Sequence, residues 1–107
     1  MRKKVGDALL QLGITPDLKG FNYIIDMVEM IDKEGDIKII AGYEIVGRKY
    51  KSDGSKVERA IRNAIERLNP ASEKYMELIG ADISSKTSYR ITNSAFLYTL
   101  HYRLKEG

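Results

Sequence analysis

The sequence predicts an all-α fold, a compact bundle of five to six helices. Three observations carry that reading. Apolar residues recur at three- and four-residue spacing through most of the chain. Breaks punctuate those stretches at "TPDLKG", "DKEGD", "KSDGS" and "NP". The one run rich in β-branched residues, "IKII", has no second strand-like run to pair with.

The elements follow in order. A first helix is predicted over about 3–12, with Val5, Leu9 and Leu12 on one face and Gly13 placed to end it. The second opens at "TPDLKG", where Thr15 can cap, Pro16 fits the first helical position and Asp17 suits the positive end of the dipole. Phe21, Ile24, Ile25, Val28 and Ile31 form its inward stripe, which Tyr23, Met27 and Met30 widen, so this helix should be central. The carboxylates of "DKEGD" then end it; they do not follow a calcium-loop pattern.

Residues 37–50 read two ways. "IKII" fits a short strand, whereas Ile40, Tyr43, Val46 and Tyr50 line one face of a helix, and helix is favoured. Gly42 and Gly47 weaken an uninterrupted helix, and Gly47 can instead admit a close neighbour. Asp53, with Ser52 as the competing choice, caps the next helix, which is predicted over about 54–68 and stopped by Asn69 and Pro70. A shorter helix is expected over 71–79 and an irregular connection over 80–91. The last helix, capped by Thr92 or Asn93, should bury Phe96, Leu100 and Leu104.

With 107 residues, 43% of them hydrophobic, the chain has the size of one domain with one core. It has no cysteine, which removes disulfide frameworks and thiolate zinc sites and suits a reducing cytosol. The N-terminus begins like a signal peptide, but Asp7 and Gln11 interrupt its apolar part. No run approaches the roughly 18 apolar residues of a membrane span. The expectation is a soluble cytoplasmic protein with no membrane contact.

Charge is unevenly spread. Residues 16–36 carry six acids against two lysines, a balance of −4, and residues 48–67 carry seven bases against three acids, a balance of +4. One end of the fold should attract anions.

The stretch "SKVERAIRNAIERL" at 55–68 is the most regular. Val57, Ala60, Ile61, Ala64, Ile65 and Leu68 form one apolar stripe, and its two alanines let the helix lie close against a neighbour. The outer groups in the first turns are those that read base edges: arginine forks onto guanine, glutamate accepts from cytosine, asparagine pairs with adenine. Arg48, Lys49 and Lys51 stand just before the turn, where phosphates would pass. The element before, the "KSDG" break and this helix have helix-turn-helix proportions. Other roles stay open. Glu58 can pair with Arg62 on a solvated helix face, or complete a capping box with Ser55.

"KGFNYIIDMVEMI", then "RKY", then "SKVERAIRNAIE" and "TNSAF" resemble the C-terminal DNA-binding effector domain of the stage-zero sporulation response regulator of endospore-forming Firmicutes. The match runs from about 12 to 104. It implies six helices around a helix-turn-helix and recognition of a TGTCGAA-type promoter box in double-stranded DNA, often in tandem copies bound by adjacent domains. It also implies regulation of transcription on the nucleoid and contact with the RNA polymerase sigma subunit. Carried over by position, Ser55, Lys56, Glu58, Arg59, Arg62 and Asn63 become DNA contacts, with Glu58 and Arg59 the principal base readers; Lys49 and Lys51 add phosphate contacts. Four features depart from the family pattern. Lys56 stands where arginine is usual, Asn63 replaces a histidine, Glu44 replaces a proline, and the connection around 34–42 is short. The family's regulator carries a phosphoacceptor receiver domain before this one, and the expectation here is a single domain without it.

A second function class keeps the fold without specific DNA binding, as a protein-interaction module or antagonist. The acidic second helix and the Tyr98–Tyr102 pair motivate it. Enzyme chemistry finds no support. His101, the only histidine, has no recognisable partner in the sequence, and no nucleophile elbow, phosphate-binding loop or metal-ligand spacing occurs. Nothing calls for a cofactor, a metal or a small-molecule substrate.

Overall fold

The computed structural model describes residues 1–80 and 91–106. Among the described residues six helices follow one another, with no strand: α1 (Arg2–Gln11), α2 (Lys19–Glu34), α3 (Ile39–Lys49), α4 (Gly54–Ile65), α5 (Glu73–Leu78) and α6 (Asn93–Glu106). The all-α expectation holds, and within 37–50 the helix spans Ile39–Lys49. The connection expected over 80–91 lies, from 81 to 90, outside the described residues.

Helix α2 is central and touches α1, α3, α4 and α6. Its stripe is the one read from the sequence: Ile24, Met27 and Val28 are fully buried, and Phe21, Tyr23, Ile25 and Ile31 nearly so. Its start differs from the expectation. Thr15, Pro16 and Asp17 form a turn closed by the Leu18 amide on the Thr15 carbonyl at 3.1 Å, and the helix begins at Lys19. The Thr15 hydroxyl is spent on the Asp17 carboxylate and caps nothing. Proline suits the second position of such a turn as well as the first turn of a helix, so local sequence left both open.

Two helix ends share one geometry. After α1, the Ile14 amide reaches the Leu9 carbonyl at 2.8 Å and the Gly13 amide the Leu10 carbonyl at 3.1 Å. After α3, Ser52 reaches Gly47 at 2.7 Å and Lys51 reaches Arg48 at 3.2 Å. Both are Schellman ends, which need a left-handed residue. Gly13 supplies it with φ 91°, but at the second end Lys51 holds φ 57°. A side chain there costs about 1 kcal/mol. Lys51→Gly is therefore expected to raise stability by about 1 kcal/mol in a urea melt.

Two expectations about buried faces need correction. Ile40 does not join the inward face of α3; it is 77% exposed, and Gly42, Tyr43, Val46 and Gly47 are the buried residues. Leu104 is only partly buried, and Leu97 takes its place beside Phe96 and Leu100 at 0% exposure. The helix predicted over 54–68 is regular only to Ile65. Its chain continues in a tighter turn, with Arg67 bonded to Ala64 and Leu68 to Ile65, each at 3.0 Å. Leu68 still closes the apolar stripe.

Candidate nucleic-acid interface

Helix α4 owes its position to what lies beneath it. Val57, Ile61, Ala64 and Ile65 are buried, and the thin alanine side meets α2 at Gly20. A Cβ on Gly20 would stand 2.6 Å from the Ala60 carbonyl oxygen and 2.8 Å from the Ala64 Cβ. The two helices cross as closely as their backbones allow. Its start is set on the other side. A Cβ on Gly47 would stand 2.8 Å from the Asp53 carbonyl carbon, so α3 runs against the backbone that begins α4. Asp53 caps α4, accepting from the Lys56 amide at 3.0 Å.

That cap settles the roles left open for Glu58. With Gly54 as the first helical residue, Ser55 lies inside α4 and makes no capping box. The Glu58 carboxylate instead accepts from Arg62 Nη1 at 2.6 and 2.9 Å. This is the helix-surface pair read from the sequence, in the favourable order.

Ser55, Glu58, Arg59 and Arg62 line one groove of about 340 Å³ between α3 and α4, together with Ile40, Tyr43, Glu44 and Gly54. The other site residues spread around it. Lys56 is exposed near the start of α4, and Asn63 faces the cleft toward Lys19 at the start of α2. Lys51 is exposed in the turn, free of ion pairs among the described residues. Lys49 lies apart from the others: its ammonium is 3.1 Å from Asp26 on α2 and 5.4 Å from the centre of the Tyr50 ring.

Asp26 is 6% exposed and also takes Arg2 at 2.6 Å. Burial pushes its carboxyl up, but the Tyr50 hydroxyl, Arg2 and Lys49 outweigh that and hold it below the ordinary range. Tyr50 is pushed up to about 12, by burial first and then by the neighbouring Asp26 carboxylate. A depressed carboxyl adds stability that is complete above its unfolded value near pH 4 and is lost as pH falls through the folded one. Asp32, lowered by His101 first and then Lys105, adds in the same direction. Stability should therefore fall on acidification below about pH 4. Asp26→Asn should cost about 1–2 kcal/mol at pH 7 and flatten that loss, because Arg2 and Lys49 are released into water rather than stranded. Urea melts at pH 7 and pH 3 check both.

Sequence reasoning missed the clamp behind the groove. Thr92 caps α6, accepting from the Ala95 amide at 3.1 Å. Asn93 is thereby free to donate to the Glu58 carbonyl at 3.0 Å and the Tyr43 hydroxyl at 3.2 Å, tying α6 to α4 and α3. Burial raises the Tyr43 hydroxyl above its ordinary value. The signal available was "TNS", where a cap and a clamp use the same residue types.

Two other expectations resolve here. His101 does have a partner, Asp32, at 3.0 Å, and Lys105 joins it at 3.1 Å. Sixty-nine residues separate His101 from Asp32, a distance no local pattern reports. Tyr98 is structural: it donates to the Ile37 carbonyl at 2.8 Å and accepts from the Ile37 amide at 3.2 Å, whereas Tyr102 is 63% exposed. Among the described residues, no helix is long and apolar enough to cross a membrane.

The family model described as sporulation initiation factor Spo0A C terminal matches residues 5–104. Those residues hold the core, the helix-turn-helix of α3 and α4, and the α6 clamp. This chain belongs to that family, the C-terminal domain of a sporulation response regulator, which binds double-stranded DNA to regulate transcription and is not an enzyme family.

Proposed function

We propose that α4 is the recognition helix, lying in the major groove and reading a TGTCGAA-type promoter box. The observation that carries this is the outward face of α4. Ser55, Glu58, Arg59 and Arg62 share one groove while the opposite stripe is buried, so the base-reading groups sit on a rigid, fully supported helix. Arg59 and Glu58 are the principal base readers, with Arg62 and Asn63 beside them. Ser55, Lys56 and Lys51 meet phosphates along the entry to the groove. Lys49 contributes only after leaving Asp26, so its contact is the weaker. The same reading includes pairing of adjacent domains on tandem boxes, contact with the RNA polymerase sigma subunit and residence on the cytoplasmic nucleoid.

A gel-shift titration with a TGTCGAA-type duplex against a scrambled one tests this. The box is expected to bind more tightly, with affinity falling steeply as salt rises. Lys51→Ala should weaken both duplexes alike and flatten the salt slope by about one unit, and Lys49→Ala by less. Equal affinity for the two duplexes sinks the specific reading and favours a protein-interaction module on the same fold.

A further inference from the structure

Two grooves flank the outward face of α4, and Ile40, Tyr43, Glu58 and Arg62 line both. The apolar residues along them differ in kind. Tyr43 is 7% exposed with its hydroxyl held by Asn93, and Ile65 and Ile91 are buried. Ile40 is 77% exposed, the most exposed of the large hydrophobic residues among the described ones. The core does not use it. Helix α3 turns Gly42, Tyr43, Val46 and Gly47 inward, and Ile37 and Ile39 already pack against the core beside it.

A lone exposed isoleucine on an ordinary surface needs no explanation. This one stands in a charged groove among Glu58, Arg59 and Arg62. Those side chains read bases through hydrogen bonds, which do not sense the C5-methyl of thymine. That methyl is the apolar group the major groove presents, and an aliphatic side chain is its match. We infer that Ile40 is a specificity-determining residue that packs on a thymine methyl at the edge of the bound site; the inference rests on α4 reading duplex DNA as proposed above. Placed on α3 rather than α4, it extends the readout beyond the recognition helix.

Replacing thymines one at a time by deoxyuridine in a TGTCGAA-type duplex removes only the methyl. Wild type is expected to lose roughly three- to fivefold in affinity at one thymine position. Ile40→Ala should bind the intact box roughly three- to tenfold more weakly and show no further loss at that position. It should bind scrambled duplex as wild type does. The exposed site and alanine's helix preference keep the variant folded, which a thermal melt checks. Ile40→Val should retain part of the deoxyuridine effect. An Ile40→Ala variant that keeps the full deoxyuridine loss, or weakens both duplexes alike, overturns the inference and leaves the reading by α4 standing. A wild type that does not distinguish box from scrambled duplex overturns the reading itself, and the inference with it.

Discussion

Gly20→Ala is expected to destabilise the protein by about 1–3 kcal/mol, on the order of 5 °C or more in Tm. Ordinarily alanine improves a helix over glycine by about 0.5–1 kcal/mol. Here the added methyl meets the Ala60 carbonyl oxygen at 2.6 Å and the Ala64 Cβ at 2.8 Å. Neither obstacle is the flexible end of a side chain, so α4 must move as a body. Gly6→Ala is the matched control. Its Cβ would meet only Ile25 Cδ1 at 3.7 Å and Phe21 Cζ at 3.8 Å, ordinary contacts, and it should stabilise. Opposite signs at the two glycines in paired thermal melts check the argument; two gains of similar size would refute the close crossing. On the proposal that α4 reads the bases, Gly20→Ala should also lose more affinity for the box than for scrambled duplex.

Arg59→Ala should cost roughly 1–3 kcal/mol of box affinity and relax preference at one base pair. Arg59 is exposed and makes no ion pair among the described residues, so the free protein should keep its Tm. Its guanidinium is available to guanine without breaking an internal bond. Arg62 differs, because it already holds Glu58 at 2.6 Å. An exposed pair at this spacing adds only about 0.3–0.5 kcal/mol, so DNA can recruit both partners cheaply. Selection from a random duplex pool, run on wild type and Arg59→Ala, reads the change directly. An unchanged box would remove Arg59 from the base readers.

Much of this was legible from residues alone. The stripes of α2 and α4 repeat at the helical period with few exceptions, so their buried faces were readable. The α4 cap was readable to within one residue, Asp53 or Ser52, because both are good caps next to the start of the stripe. Where two local solutions use the same residues, the pattern could not choose. Pro16 serves a turn or a helix start, Thr92 and Asn93 both cap well, and Ile40 and Ile39 are equally apolar. Asn93 was visible only as a cap candidate, since its partners Tyr43 and Glu58 lie 50 and 35 residues away.

Residue pattern alone gave five to six helices, the stripes of α2 and α4 and the basic segment 48–67, because period and charge are legible within about two helical turns; the choice of Ser55, Lys56, Glu58 and Arg59 as DNA contacts came from the family resemblance. Which candidates share a groove and which is held elsewhere depends on how the helices pack. Lys49 turns to the buried Asp26, and Asn93 to the back of α4. The closeness of α2 to α4 at Gly20 also belongs to the fold. Burial makes those choices: a carboxylate or amide removed from water must find a partner in the packed interior, and which one is in reach depends on how the helices cross.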